Sequence, residues 1–261
     1  MRSYFMGNGF EKVIEKRDMP EAKFVGTWGV SDGDLFDRAH REFLQAPKDK
    51  PFMALMFSSS NHSPFEFPDG VIELYEQPKA TVNNAVKYAD HAIGKFFAAA
   101  KASPYWENTV FLVVADHNSR VYGNSIFPVS RFHIPALILG GPIKPQRIST
   151  LASQLDLGPT VLSVLGLNTT HPMTGRDLTD PKQQQRIGRS IMQFDQIQAY
   201  READRMVLLQ PGGAPRGAQL TGKEWTQTPD VPAELLEKAL AHAWYAKLAY
   251  SQRWHVDPPA R

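Results

Sequence analysis

Three runs of consecutive apolar residues interrupt a chain that is otherwise polar and rich in turns. They span residues 52–57, 110–115 and 134–139, and each is followed at once by Ser, Asp or Gly. Apolar runs of this length between polar residues are typical of strands that are buried on both faces. Pro135 places the third run at a sheet edge or at a first strand position. The pattern therefore predicts three strands.

An amphipathic segment from residue 81 to about residue 101 lies between the first two runs. Its apolar residues recur at helical spacing on one face: Val82, Ala85, Val86, Ala89, Ile93, Phe96, Phe97 and Ala100. Strand, helix and strand in this order predict a βαβ unit with parallel strands and a right-handed crossover. The residues that follow both strands would then meet at one sheet edge, where open α/β sheets bind ligands.

The remaining pattern completes an α/β prediction. A helix over about 34–44 would be capped by Ser31 or Asp32, and a short helix would begin at Asp156. Beyond about residue 180, segments 191–200 and 205–210 predict a hairpin, and 232–250 predicts an amphipathic helix. We expect a three-layer α/β/α sandwich with a mostly parallel sheet over 1–180, incomplete at its N-terminus, and a hairpin-and-helix subdomain over 181–261.

Composition narrows the possible functions. The 261 residues are 42% hydrophobic, enough for a core, and the net charge of +2 gives no strong field for nucleic acid. The chain has no Cys, which excludes disulfides. It has no apolar run long enough to span a membrane and no apolar stretch at its start that would indicate a signal peptide.

Asp116 and His117 directly follow the second predicted strand. They offer a carboxylate oxygen and an imidazole nitrogen to one divalent ion. The alternative is a strand-terminal turn with an Asp that caps a helix. His62 follows the first predicted strand, so the βαβ prediction places it near this pair.

Six short motifs occur in a fixed order and together resemble a known family. They are 59–65 (SSNHSPF), 88–90 (YAD), 115–117 (ADH), 132–135 (FHIP), 154–160 (QLDLGPT) and 172–178 (PMTGRDL). The set resembles the sulfatase-like part of the alkaline phosphatase superfamily, in its lipoteichoic acid synthase and phosphoglycerol transferase branch. The resemblance covers residues 1–180 and extends only weakly beyond them.

The resemblance implies a role for each candidate residue. Asp116 and His117 would bind a divalent metal ion, Mn²⁺ first, with Zn²⁺, Mg²⁺ or Ca²⁺ as alternatives. His62 would be catalytic, through contact with the transferred phosphate group. Three further residues would bind substrate: Trp28, Arg120 and His133. For His133 the alternative is a His that bonds to backbone where a strand begins, and Arg120 could instead pair with a nearby acid.

The chain departs from the family at the nucleophile. The nucleophilic Thr and an acidic metal ligand that the family carries upstream have no counterpart here, so we expect the carboxyl-terminal part of an enzyme that is inactive alone. Its expected partners are a phospholipid or phosphoglycerol donor, a glycan or lipid acceptor, and a missing N-terminal segment with membrane helices, in an extracytoplasmic location.

Two other functions stay open. The chain could be a non-catalytic remnant or truncated product that binds a metal ion or a glycan. A sulfatase is the lesser alternative, because the resemblance implies an oxidisable Cys or Ser in an upstream motif, and the chain contains no Cys.

Overall fold

The computed structural model describes residues 2–118, 127–141 and 143–254. The chain forms two compact units, an N-terminal unit of residues Met1–Thr109 and a C-terminal unit of residues Val110–Arg261. The predicted domain boundary near residue 180 falls inside the C-terminal unit and stays a prediction. No helix in the described ranges combines the length and the apolar character that a membrane span requires.

Helices occupy the N-terminal unit, and the strands lie in the C-terminal unit. The α-helices of the described ranges are α1 (Arg2–Gly7), α2 (Asp32–Gln45), α3 (Val82–Lys101), α4 (Leu157–Val164), α5 (Pro181–Gln184) and α6 (Ala233–Ser251). Short 3-10 helices span Lys16–Asp18, Trp106–Asn108, Val129–Phe132 and Gln154–Asp156. The strands are β1 (Val110–Val114), β2 (Ala136–Gly140), β3 (Arg189–Phe194), β4 (Ile197–Glu202), β5 (Arg205–Leu209), β6 (Arg216–Thr221) and β7 (Glu224–Thr228).

In the N-terminal unit, α2 packs against α3. Ser31 caps α2 by accepting a hydrogen bond from the backbone N–H of Asp34 (3.2 Å), and Thr81 caps α3 in the same way. Phe36 and Phe43 on α2 contact Phe96 on α3, with ring centroids 5.5 and 6.3 Å apart. The helices predicted over about 34–44 and 81–101 are both confirmed. In each of them, the apolar spacing and the capping residue indicate the same boundaries.

The predicted strand over 52–57 is wrong. This segment forms no strand, and Phe52, Met53, Leu55 and Phe57 are exposed, Met53 by 79%. A strand needs a neighbour that pairs its backbone and covers its side chains, and no described residue of the N-terminal unit supplies one. Apolar content alone therefore did not determine the conformation of this segment.

The predicted βαβ unit lacks its first strand, because 52–57 forms none. Within the C-terminal unit, β1 pairs antiparallel with β2, from Val110 opposite Gly140 to Val114 opposite Ala136. Every strand pair in the described ranges is antiparallel. The strands predicted at 110–115 and 134–139 are themselves confirmed, with ends shifted by one or two residues.

Strands β3 to β7 form an antiparallel meander, of which the sequence analysis predicted only one hairpin. The turn between β3 and β4, which was missed, lies at Asp195, and the predicted turn between β4 and β5 lies at Ala203; both residues have positive φ. Met206 and Leu208 of β5 face one apolar cluster, whereas Val207 faces Leu235 of α6. Because successive side chains of a strand point to opposite faces, β5 contributes buried apolar residues to both faces of this sheet.

A buried ion pair connects α4 to the meander. Asp156 and Arg189 are 1% and 2% exposed, and two N–H···O bonds of 3.0 Å join their side chains. The Asp156 carboxylate also accepts the backbone N–H groups of Ser153 (2.8 Å) and Arg176 (2.7 Å). Gly175 lies so close to this turn that an added Cβ would be 1.8 Å from the carbonyl oxygen of Leu155.

We predict that Arg189→Met destabilises the protein by about 3–5 kcal/mol, because it leaves the Asp156 carboxylate buried without its cation. Urea denaturation followed by near-UV circular dichroism measures the change. The matched control is Arg205→Met, which removes an exposed ion pair with Asp230 and should cost at most about 1 kcal/mol. Equal losses in the two variants would contradict the special role of the buried pair.

Candidate active site

Asp116 and His117 follow β1 directly, and their side chains converge. Oδ2 of Asp116 lies 3.4 Å from Nε2 of His117, and both side chains are exposed. The other carboxylate oxygen, Oδ1, accepts the backbone N–H of His117 (2.7 Å). One oxygen thus holds the turn, and the other remains directed toward the imidazole.

A hydrogen bond sets the orientation of the His117 ring. Nδ1 lies 2.8 Å from the backbone carbonyl oxygen of Asn118. A carbonyl oxygen only accepts, so Nδ1 carries the proton, and in the neutral imidazole Nε2 presents a lone pair. This is the tautomer that a metal ligand needs at Nε2.

The donor separation suits a shared divalent ion. Two atoms that each bind an ion at about 2.1 Å lie about 3.0–3.4 Å apart at octahedral or tetrahedral angles, which matches the observed 3.4 Å. Within the described ranges, however, no three His, Cys, Asp or Glu side chains form a metal-binding group. The pair therefore fits part of a metal site.

Gln154 fixes the backbone beneath this pair. Its Nε2 donates to the carbonyl oxygens of Ala115 and Asp116, both at 2.9 Å. The residue lies in the Gln154–Asp156 3-10 helix, which the Asp156–Arg189 ion pair anchors. The sequence analysis missed Gln154 because a lone Gln before a helix carries no spacing signal.

His133 lies at the same end of the β1–β2 ladder. The N–H of Ala115 donates to the carbonyl of Pro135 (3.3 Å), two residues beyond His133. Its side chain is exposed and belongs to no group of three potential ligands in the described part of the chain. Arg120, the other predicted phosphate contact, lies outside the described residues.

In the N-terminal unit, the His62 and Trp28 rings are in contact, with centroids 3.8 Å apart and planes inclined at 41°. Both rings bind the carbonyl oxygen of Ser63: Nε1 of Trp28 donates at 2.8 Å, and Nδ1 of His62 donates at 2.9 Å. The neutral His62 ring therefore presents its Nε2 lone pair, as His117 does. The structure brings together these two residues, which are 34 positions apart in sequence.

Two carboxylates hold the loops that carry this pair. Asp32 is fully buried, and its Oδ1 accepts the N–H groups of Ser59 (2.9 Å) and Ser60 (3.0 Å), just before His62. Glu66 accepts the N–H of Thr27 at 2.6 Å, and this bond lowers the pKa of the Glu66 carboxyl. The sequence analysis had weighed Asp32 only as a helix cap.

Comparisons with known proteins identify the family. The Sulfatase family profile matches residues 2–167. A protein in the alkaline phosphatase superfamily from Vibrio parahaemolyticus has a structure that superposes with a TM-score of 0.90 at 41% identity, covering 99% of this chain and 64% of that one. The structure of the lipoteichoic acid synthase LtaP from Listeria monocytogenes superposes with a TM-score of 0.75 at 19% identity, covering 99% and 68%. The predicted α/β fold with its C-terminal extension is thereby confirmed.

Curated relatives agree with this assignment. The lipoteichoic acid synthase-like protein YvgJ of Bacillus subtilis is 24% identical over 62% of this chain and 30% of its own length. Phosphoglycerol transferase I of Salmonella arizonae is 21% identical over 62% of this chain and 23% of its own length. The chain thus spans less than a third of these relatives. With well over half of its residues matched by the family profile, the chain belongs to the sulfatase family of enzymes.

Proposed function

We propose that the protein takes part in the metal-dependent transfer or hydrolysis of phosphoglycerol or a related phosphodiester head group. The observation that carries the proposal is the convergence of Asp116 Oδ2 and His117 Nε2, 3.4 Å apart at the end of β1. The relatives named lipoteichoic acid synthase and phosphoglycerol transferase support the substrate class.

One divalent ion, Mn²⁺ in the first instance and otherwise Zn²⁺, Mg²⁺ or Ca²⁺, would be held by Asp116 and His117. A bound divalent ion polarises a phosphoryl oxygen and neutralises charge that develops in the transition state. The protein's own contribution is orientation. The Asn118 carbonyl holds the His117 ring, and Gln154 holds the backbone on which both ligands stand.

His62 would contact the transferred phosphate group. Its Nδ1–H is bound to the Ser63 carbonyl, so only Nε2 is available to a substrate, as an acceptor when neutral and as a donor when protonated. Trp28, in contact with this ring and 59% exposed, would form a pocket wall. Arg120 and His133 would add positive or hydrogen-bonding contacts to the phosphate oxygens.

The covalent step needs an activated hydroxyl in line with phosphorus, and we assign no Ser or Thr of this chain to that role. The nucleophile would come from a further segment with membrane helices, and the 261-residue chain alone would be inactive. Its donor would be a phospholipid or phosphoglycerol and its acceptor a glycan or lipid, outside the cytoplasm.

One alternative has a specific observation in its favour. Only two potential metal ligands converge among the described residues, which would suit a non-catalytic module that binds a metal ion or a glycan. Sulfatase activity is the lesser alternative, because the chain contains no Cys that could become an oxidised nucleophile.

We predict that the isolated chain binds Mn²⁺ weakly, because two ligands hold an ion poorly. Calorimetry should show this binding disappear in Asp116→Ala and in His117→Ala. The matched control is Asp90→Ala in the second Asp-His dipeptide, which lies within α3, where adjacent side chains do not face each other. Tight one-to-one binding that survives both site variants would contradict the ligand assignment.

Gln154→Ala should weaken Mn²⁺ binding by about tenfold while the fold is kept, because the carbonyls of Ala115 and Asp116 lose their donor. Calorimetry gives the affinity, and circular dichroism checks the fold. Gln193→Ala is the control, since its amide bonds only to the Asp195 carbonyl. Unchanged affinity in Gln154→Ala would show that the ligand pair needs no such support.

We predict no hydrolysis of bis(p-nitrophenyl) phosphate by the purified chain with Mn²⁺, because the nucleophile is not supplied. Release of p-nitrophenolate is the measurement, and a catalytically active phosphodiesterase in the same buffer is the control. Turnover that survives purification and is lost in His62→Ala would show that this chain activates a hydroxyl or a water molecule by itself.

A further inference from the structure

A cavity of about 700 Å³ lies within the C-terminal unit, among α4, the segment after it, α5 and α6. This volume is in the range of small-molecule sites. Ser163, Asn168, Thr169 and Gln183 contribute hydroxyl and amide groups to its wall. Among the described residues, none of those predicted above to bind metal, phosphate or substrate lines it.

Three arginines line the cavity, and one of them is paired with an aspartate. Asp156 neutralises Arg189. Arg176 donates to the carbonyl of Ile187 (2.7 Å) and Arg186 to the side-chain oxygen of Gln183 (3.2 Å), and neither forms an ion pair with a described carboxylate. Because a guanidinium has five N–H donors, most of the donors of Arg176 and Arg186 remain available.

One nearby carboxylate offsets part of this charge. Asp177 lines the cavity, and its carboxylate is held by the N–H (2.8 Å) and the hydroxyl (2.6 Å) of Thr179, so the three arginines, together with Asp156 and Asp177, leave one surplus positive charge. Burial, together with the charges of Arg189 and Arg186, lowers the pKa of the Arg176 guanidinium, as expected where like charges are close. The surplus positive charge is a local property of the cavity, since the net charge of the whole chain is only +2.

Two histidines, His171 and His242, also line the cavity. His242 stacks on Tyr200 with ring centroids 5.2 Å apart. Burial and then the charges of Arg189 and Arg176 lower the pKa of His242, so its ring is neutral at pH 7 and adds polar surface without charge.

We propose that this cavity binds a small phosphorylated polyol or sugar. The guanidiniums of Arg176 and Arg186 match the oxygens of a phosphate group in bidentate geometry, and the surplus positive charge offsets part of its negative charge. The hydroxyl and amide side chains bind the ligand's hydroxyl groups. The site consists of residues of the C-terminal unit alone and is independent of the metal pair.

The test is calorimetry on the full chain in buffer with EDTA, which removes any metal-mediated binding at Asp116 and His117. We expect glycerol 3-phosphate to bind at one site, inorganic phosphate to bind more weakly, and glycerol to show no binding. Arg176→Gln and Arg186→Gln should each weaken binding by about tenfold or more, as loss of a charged hydrogen bond does. Arg186 is exposed, so its replacement leaves the fold intact.

Two controls separate this proposal from the proposed function. Arg147→Gln removes an exposed arginine that does not line the cavity, and Asp116→Ala removes the metal pair; neither should change the affinity for glycerol 3-phosphate. Absence of binding, or binding unaffected by both cavity variants, would overturn the proposal. Phosphate that binds as tightly as glycerol 3-phosphate would overturn the assignment to a polyol.

Discussion

The ion pair between Asp156 and Arg189 is the constraint on which the C-terminal unit depends. Both side chains are almost completely buried, so each charge requires the other. The pair joins the 3-10 helix Gln154–Asp156 to the first strand of the meander, at positions 33 residues apart. Gln154, two residues before Asp156, holds the carbonyls at the end of β1. A contact remote from the candidate metal ligands therefore determines where their backbone lies.

The same pair forms one wall of the cationic cavity. Because Asp156 also accepts the N–H of Arg176 (2.7 Å), it holds the backbone beside Arg189, and the Arg176 side chain then lines the cavity. Gly175 permits this approach, since any Cβ there would overlap the Leu155 carbonyl. Asp156 neutralises only one of the three arginines, and with Asp177 counted as well one surplus positive charge remains at the cavity.

The N-terminal unit uses a buried carboxylate in a related way. Asp32 has no counterion among the described residues, but its Oδ1 accepts two backbone N–H groups and its own N–H binds the Ser60 hydroxyl (3.1 Å). These bonds replace part of the hydration lost on burial. In both units, an aspartate at the start of a helix fixes a functional segment. Asp32 fixes the loop that leads to His62, and Asp156 fixes the turn that carries Gln154, which supports the backbone of the candidate metal ligands. Rigid loops of this kind keep exposed functional side chains in place.

The sequence by itself determined the elements whose signals are local. Helical spacing and the Thr81 cap located α3, the Asp116-His117 dipeptide located the candidate metal pair, and the ordered motifs identified the family. Tertiary structure decided the rest, because pairing partners and buried charges depend on residues far apart in sequence. The apolar run 52–57 has the pattern of a buried strand, yet it forms no strand, because no described residue of the N-terminal unit pairs with its backbone. Two contacts could not be predicted from sequence periodicity: that between Trp28 and His62, and the ion pair between Asp156 and Arg189. Each joins single residues from separate segments, so neither produces a repeating pattern.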